Sequence, residues 1–351
     1  MEGGRGRLWG FERERELLSR LIRSGRTGGC FILTGPLGVG KTTLALAFAM
    51  ALVCEQKPGE GMVFCGKCRG CRAVREVRGE DFIYLFPEGK FISHETVSDH
   101  QITLRAFQRP QQLRRRLILM DECEKLNPQS ANQLLKTLEE APSYTTFLLV
   151  TDTEHLVLPT IMSRCRRILV GPAREEELRQ AAGELFGEGR LPEELAPALG
   201  GRIALMTNLL ETEGLVEGVL GYGSLLAEII SGREEAVSRA TLLLSQLARA
   251  LAETYQAREQ ERLVRVFGEG EKRSKLSEAR KSELRRRAKA VVLELGLRLA
   301  MDRCGLEGER GRRMLMAYLR LMQDLRFNVV EATTDLDPHL ILAGGVPPGA
   351  G

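Results

Sequence analysis

The sequence predicts an α/β core with a mainly parallel sheet and helices on both faces, followed by a region built from helices alone. Short apolar runs alternate with stretches of helical character over the first 170 residues, which is the pattern of strands joined by crossover helices. The pair Gly171-Pro172 then ends the strand signals, and only helical patterns continue beyond it. With 351 residues, the chain is long enough for two or three domains that each bury a core.

The predicted elements follow in chain order. Four apolar runs predict buried strands, at 30–34, 117–120, 147–150 and 168–170. Spacing and composition predict helices between and around them, at 11–23, 42–52 and 127–140. Beyond the core we expect helices at 175–186 and 201–210, a glycine-rich linker at 214–223, and apolar helical stripes at 237–251 and 314–325. The tail, residues 344–351, is expected to be disordered.

Composition and charge exclude some functions and leave others open. The chain has 51 basic and 47 acidic residues, a net charge of +4 that does not by itself indicate a nucleic-acid partner. Residues 272–289 contain nine lysines or arginines, which form either a solvated helix face or a contact with DNA or an acidic partner. No apolar run reaches the 18 residues of a membrane span, and the N-terminus is polar. We therefore expect a cytoplasmic protein with no membrane partner.

A glycine-rich loop follows the first predicted strand. The segment from Gly35 to Thr42 fits the pattern G-x-x-x-x-G-K-[ST] and opens a predicted helix, which is the context that this phosphate-binding motif requires. Its glycines let backbone N–H groups point at anionic oxygens, beside a partly positive helix N-terminus. We expect Lys41 to reach the β- and γ-phosphates of ATP or ADP, and the Thr42 hydroxyl to bind Mg²⁺. The expected nucleotide-binding residues here are Gly35, Pro36, Leu37, Gly38, Val39, Gly40, Lys41, Thr42 and Thr43. The alternative is a loop that keeps this shape without binding nucleotide.

Polar residues end two of the later strands. Asp121 and Glu122 follow the run at 117–120, and in a phosphate-loop protein such a pair binds Mg²⁺ through water and activates an attacking water, respectively. Simple capping of the strand end is the alternative role for the pair. Thr151 follows the run at 147–150, where a polar side chain near the γ-phosphate can report which nucleotide is bound.

The eight cysteines fall into two groups. Cys65, Cys68 and Cys71 have the spacing C-x-x-C-x-x-C, and Cys54 can supply a fourth thiolate for a closed structural Zn²⁺ site. Unligated thiols are the alternative. Nothing marks the chain as secreted, so disulfides are not expected. The remaining cysteines are predicted to be small core residues, and they are Cys30, Cys123, Cys165 and Cys304.

The stretch from Phe31 to Val170 resembles the ATPase core of bacterial clamp-loader subunits, which are members of the AAA+ group. Five segments carry the resemblance: GPLGVGKTT at 35–43, CGKCRGC at 65–71, LILMDECEKL at 117–126, NQLLKTLEEAP at 132–142 and LPTIMSRC at 158–165. The cysteine insert is typical of the γ/τ and δ′ subunits. The resemblance is clear over roughly residues 8–210.

The resemblance implies a domain organisation and three further site residues. It implies a nucleotide-binding core at 1–170 with a zinc knuckle at 54–71, a helical lid at 171–215 and a helical collar for oligomerisation at 220–343. Arg164 matches the arginine that reaches ATP on the neighbouring subunit, Thr151 the first nucleotide sensor and Arg202 the second sensor on the lid. Arg164 as a surface or strand-capping residue and Arg202 as a helix-start residue with local contacts are the alternatives.

Within the family, the δ′ type is favoured. The segment from Glu80 to Gly89 resembles the one that follows the cysteine motif in δ′ chains. This implies partnership with γ/τ and δ subunits, the sliding clamp and primed DNA in the DNA polymerase III clamp loader. A self-sufficient γ/τ-type ATPase motor is the alternative, since Lys41 and Glu122 are both present. A phosphate-loop kinase with a structural zinc gives no reason for Asp121-Glu122 followed by Ser163-Arg164-Cys165.

Overall fold

A computed structural model describes residues 8–77, 79–231, 233, 235–267 and 275–305. In this part of the chain, five parallel strands form one sheet in the order β2-β3-β4-β1-β5. The strands are β1 (Gly29–Thr34), β2 (Phe82–Leu85), β3 (Arg116–Met120), β4 (Thr145–Thr151) and β5 (Cys165–Leu169). Because all strands run the same way, their carboxyl ends meet at one edge, which is where parallel α/β sheets bind ligands.

Helices connect the strands and also follow the last of them. Those associated with the sheet are α1 (Glu12–Arg23), α2 (Lys41–Val53), α3 (Arg69–Arg75), α4 (His94–Asp99), α5 (Ile102–Phe107), α6 (Pro128–Glu140) and α7 (Pro159–Met162). Those that follow the last strand are α8 (Glu175–Phe186), α9 (Leu195–Leu199), α10 (Ile203–Glu211), α11 (Leu215–Ile230), α12 (Ala236–Phe267) and α13 (Glu278–Arg303). No helix among the described residues is both long and apolar enough to cross a membrane.

The sheet is covered by apolar side chains on both faces. Because side chains alternate along a strand, Phe31 and Leu33 of β1 pack in one cluster with Phe48 of α2. Ile32, between them, packs in the opposite cluster with Leu134 of α6. Each such side chain is fully buried, and burial of one contributes about 1.5–3 kcal/mol. The predicted α/β core and the helical region after it are thus confirmed.

The chain divides into two compact units that do not follow one another in sequence. The first contains the sheet and comprises the described residues within 1–181, 201–204 and 259–280. We call residues 259–267 and 275–280 of this unit the arginine segment. Leu263 and Leu276 of the arginine segment are buried in the same cluster as Tyr84 and Phe86 of the sheet.

The second unit comprises the described residues within 182–200, 205–258 and 281–305. It is helical, and close helix contacts at glycines hold it together. A Cβ at Gly218 of α11 would lie 2.2 Å from Leu247 of α12, and one at Gly296 of α13 would lie 2.3 Å from Tyr222. The domain boundaries expected at 171–215 and 220–343 stay predictions. The stripe at 314–325 and the tail at 344–351 lie outside the described residues.

Two sequence-based expectations about the fold need correction, and one strand was not predicted. The glycine-rich linker predicted at 214–223 is wrong, because α11 spans it and its glycines allow close helix packing. Strand β2 carried no prediction, although its four residues are all buried. Cys30 and Cys165 are not independent core residues but form a disulfide, since β1 and β5 place them opposite each other in register. Among the other two, Cys123 is buried as predicted and Cys304 is partly exposed.

Candidate functional site

The phosphate-loop motif lies at the carboxyl end of β1 and leads into α2. Its glycines are required by the backbone, because Gly35 and Gly40 have φ angles of 153° and 101°. A Cβ at Gly35 would lie 2.1 Å from the carbonyl oxygen of Val170, and one at Gly40 would lie 2.9 Å from the ring of Phe11. The loop therefore has the shape that fits phosphate at the helix N-terminus.

Lys41, the first residue of α2, is buried and held inside the loop. Its Nζ donates to the carbonyl oxygens of Gly35 and Pro36 at 2.8 and 2.7 Å and lies 2.5 Å from a carboxylate oxygen of Asp152. Asp152 directly follows β4, and sequence analysis did not single it out. To bind phosphates, the lysine would exchange this carboxylate for the ligand.

Asp121, at the end of β3, lies beside Thr42. The Thr42 hydroxyl is 3.1 Å from both carboxylate oxygens of Asp121, so the two residues expected to share Mg²⁺ are neighbours. The Tyr84 hydroxyl donates to Asp121 Oδ2 at 3.0 Å. Burial raises the pKa of Tyr84 well above its ordinary value, which keeps it a neutral donor to the carboxylate.

Glu122 is buried and is bound by two cationic side chains. Its φ of 52° is unusual for a residue with a side chain and turns the chain sharply after β3. Arg280 donates to the two Glu122 carboxylate oxygens at 2.8 and 2.5 Å, and the Lys125 ammonium lies 2.8 Å away. Arg280 also donates to Glu259 at 3.0 Å. Its side chain is 1% exposed, so these carboxylates are the surroundings that keep it charged.

Arg262 completes this network on the side of Asp121. Its guanidinium donates to Asp121 Oδ2 at 3.2 Å and lies 5.5 and 5.7 Å from the ring centres of Tyr84 and Phe86. Burial opposes the charged forms of Arg262 and Arg280, but the neighbouring carboxylates outweigh it, so the pKa of each arginine is raised above its ordinary value. Both arginines are therefore cations at neutral pH.

Mg²⁺, which the phosphate-loop motif implies, does not fit this arrangement as it stands. Both carboxylates expected near the metal, Asp121 and Glu122, already have arginine partners. Mg²⁺ keeps several bound waters, which nearby carboxylates usually hold, and here arginine donors already occupy oxygens of both carboxylates and compete with those waters.

The two expected nucleotide sensors occupy buried positions. Thr151 ends β4 opposite Thr34, the residue before the phosphate loop, and its hydroxyl accepts from the N–H of Thr153 at 3.0 Å. Arg202 is buried in the same compact unit. Two residues further on, the N–H of Ala204 donates to the carbonyl oxygen of Gly38 at 2.9 Å, which brings the start of α10 to the phosphate loop.

Arg164 lies at a partly exposed surface between α7 and β5. Its guanidinium lies 3.1 Å from a carboxylate oxygen of Glu139 on α6 and donates to the carbonyl oxygen of Thr160 at 3.0 Å. These contacts hold the side chain in place while about a third of it, 31%, remains exposed.

The four cysteines predicted to bind zinc are brought together. The sulfur atoms of Cys54, Cys65, Cys68 and Cys71 all lie within 4.8 Å of one another. Tetrahedral Zn–S bonds of about 2.3 Å separate sulfurs by about 3.8 Å, so the cluster would close by an ångström or less. Three of the sulfurs accept backbone N–H groups at 3.3–3.5 Å. A hydrogen bond from the N–H of Lys67 is the largest of several that lower the pKa of Cys65 to about 6, and burial raises the pKa of Cys71. The donor set fits a closed structural metal site.

Comparison with known proteins adds a family to this geometry. Residues 12–173 match the family model described as DNA polymerase III, delta subunit. The DNA polymerase III subunit delta′ of Pseudomonas aeruginosa is 33% identical over 195 residues, which is 55% of this chain and 56% of that protein. The subunit tau/gamma of Haemophilus influenzae is 33% identical over 183 residues, 52% of this chain and 26% of that protein.

The chain therefore spans about a quarter to just over half of the length of these relatives. Among solved structures, a gamma subunit-related protein of Thermotoga maritima superposes with a TM-score of 0.45 at 20% identity, covering 94% of this chain and 98% of that one. The resemblance to clamp-loader subunits is confirmed at the level of the family.

The residues that match the delta-subunit family model contain most of the site but not all of it. Asp121, Glu122, Arg164 and the four cysteines lie within the matched residues. Arg262 and Arg280 lie outside them, about 140 and 158 residues along the chain from their carboxylate partners. The charged run at 272–289 gave the only sequence signal for Arg280. The solvated-face interpretation of that run is wrong for this residue, although Arg285 and Arg286 are exposed.

Proposed function

We propose that this chain is a δ′-type clamp-loader subunit of DNA polymerase III that binds ATP or ADP and supplies Arg164 to a nucleotide bound by a neighbouring γ/τ subunit. Its further partners would be the δ subunit, the sliding clamp and primed DNA. Similarity to DNA polymerase III subunits named delta′ and tau/gamma supports the family-level part of this proposal.

One observation carries the choice of the δ′ type, which is the pairing of Glu122 with Arg280. A general base must accept a proton from a water molecule within hydrogen-bond reach. Here two carboxylate oxygens of Glu122 already accept from a buried guanidinium. Because Glu122 is held in this way, we propose that the subunit does not hydrolyse its own nucleotide and acts instead on the nucleotide of its neighbour.

The surroundings of Arg164 support a role between subunits. An arginine that acts on a neighbour's nucleotide must be presented at the surface and held in one orientation. Glu139 and the Thr160 carbonyl orient this guanidinium while part of it stays exposed. Such an arginine stabilises charge on the transferred phosphoryl group and accounts for about 10³–10⁵ in rate at the site it completes.

The chain's own nucleotide would lie against the phosphate loop and α2. We propose that Lys41 leaves Asp152 to contact the β- and γ-phosphates, while Thr151 and Arg202 respond to the bound nucleotide. The loop residues from Gly35 to Thr43 would supply the backbone N–H groups. The four-cysteine cluster would hold a structural Zn²⁺ that ties the end of α2 to α3.

The decisive experiment reconstitutes the full chain with the γ and δ subunits of the same organism. ATP turnover stimulated by the clamp and primed DNA is measured for the wild type, for Arg164→Ala and for Arg164→Lys. We expect both substitutions to lower turnover, because lysine keeps the charge but not the bidentate donor geometry. Arg166→Ala, an exposed arginine two residues further along the chain on β5, serves as the matched control. Unchanged turnover with Arg164→Ala would contradict the proposal.

A γ/τ-type motor is the second candidate, and the complete set of phosphate-loop residues with Glu122 favours it. The two candidates differ in behaviour in isolation. A motor subunit would self-assemble and hydrolyse ATP, whereas the δ′ type would be monomeric and nearly inert. Sedimentation and ATPase measurements on the purified chain separate them.

A further inference from the structure

We propose that Arg262 and Arg280 take the place of Mg²⁺ in this chain, so that nucleotide binding at the phosphate loop is independent of divalent cations. The inference rests on the proposed nucleotide binding and specifies which cation accompanies the nucleotide. It starts from the misfit between Mg²⁺ and the paired carboxylates described above.

The first step is the balance of charge. Three carboxylates, those of Asp121, Glu122 and Glu259, meet the arginines of the arginine segment within 3.2 Å. The Lys125 ammonium adds a third cation, 2.8 Å from Glu122. The acidic end of β3 therefore lacks the excess negative charge that would attract a divalent cation.

The second step is the way in which the arginine segment is held. Leu263 and Leu276 anchor it in the apolar cluster of the sheet, and the Ser277 hydroxyl donates to the carbonyl oxygen of Glu88 at 2.9 Å. Arginines attached to a packed segment are present at a high local concentration that does not depend on the solution. A free Mg²⁺ ion must displace them to reach Asp121.

The third step is the position of Arg262 relative to the nucleotide. Asp121 bridges this arginine and Thr42, which lies in the first turn of α2 where phosphates bind. The Arg262 side chain is 30% exposed, so it is not closed off from solvent. A guanidinium has five donors in a fork that matches phosphate oxygens, and it can therefore neutralise a nucleotide as the metal otherwise does.

The test measures nucleotide affinity of the full chain with EDTA and with excess Mg²⁺, using a fluorescent ATP analogue. For the wild type we expect less than about a 3-fold difference between the two conditions. For Arg262→Gln, which frees Asp121, we expect Mg²⁺ to tighten binding by about 5-fold or more, within the usual range of coupling between two ligands. Arg265→Gln, one turn further along α12 and exposed, should behave as the wild type. Circular dichroism confirms that each variant is folded.

A second readout does not depend on nucleotide. Binding of Mn²⁺ alone, followed by electron paramagnetic resonance, should be weak for the wild type and for Arg265→Gln but stronger for Arg262→Gln. Tenfold or greater tightening of wild-type nucleotide binding by Mg²⁺ would overturn the inference. If the wild type bound no nucleotide in either condition, the proposed function would fail. The Mn²⁺ result would then decide the inference, with equal binding by the wild type and Arg262→Gln overturning it.

Discussion

Replacing Arg280 should reveal how strongly the chain depends on the cations that hold its acidic pair. Arg280→Met keeps much of the volume but leaves Glu122 and Glu259, which are 9% and 8% exposed, without their guanidinium. Removing one partner of a buried ion pair costs about 3–5 kcal/mol when the remaining charge is left uncompensated. Here Lys125 still lies 2.8 Å from Glu122 and Arg262 lies 3.7 Å from Glu259, so we expect the free energy of unfolding to fall by about 3 kcal/mol, the lower end of that range, at neutral pH.

Two companion variants separate this effect from lost packing. Combining Arg280→Met with Glu122→Gln and Glu259→Gln removes the orphaned charges and should recover about 1–3 kcal/mol. Arg179→Met, at an exposed arginine paired with Glu175 on α8, should cost less than about 1 kcal/mol.

The stability that Arg280 contributes should be constant between about pH 7 and 9. The carboxylates of Glu122 and Glu259 raise the pKa of Arg280 above its ordinary value, so the arginine stays charged throughout this range and its contribution would be lost only at much higher pH. Urea denaturation followed by circular dichroism measures the free energy of unfolding of each variant. If this free energy fell by less than about 1 kcal/mol for Arg280→Met, or did not recover in the triple variant, Arg280 would not be the main partner of these carboxylates.

Three further predictions concern other parts of the sheet-containing unit. By metal analysis we expect about one zinc per chain in the wild type and in Cys123→Ser, and none in Cys68→Ser. Equal zinc contents in the two variants would contradict the metal site. Asp81→Asn should destabilise the chain by about 3 kcal/mol in urea denaturation, because this buried carboxylate accepts three backbone N–H groups and pairs with Arg116; a change below about 1 kcal/mol would count against that role. Gly40→Ala should abolish binding of a fluorescent ATP analogue, because its φ of 101° disfavours a side chain, and undiminished affinity would show that the loop does not hold the nucleotide.

Local sequence patterns were sufficient for the elements whose signal lies within a few residues. The phosphate loop, the acidic pair and the cysteine spacing each occupy a short stretch, and the structure places Thr42 beside Asp121 and the four cysteines close to one another. Strand β2 was missed although its apolar run of four residues is as long as those at 117–120 and 147–150. The glycines of α11 predict a linker from sequence alone, because glycine is common both in linkers and where helices pack closely.

Long-range pairings could not be predicted in the same way. The disulfide between Cys30 and Cys165 depends on β5 lying beside β1, which a strand order of β2-β3-β4-β1-β5 decides. Arg280 lies in a charged run, and charge runs most often form solvated faces. Only the packing of the arginine segment against the sheet shows that this arginine is buried against Glu122.

Whether the chain holds ATP without hydrolysing it, as the pairing of Arg280 with Glu122 leads us to propose, can be measured on the protein alone. The purified full chain is incubated with ATP labelled at the α-phosphate and isolated, and the bound nucleotide is identified over time. We expect about one bound nucleotide per chain that remains ATP over many minutes. Conversion to ADP at the roughly 1–10³ per second of ordinary enzymes would contradict it.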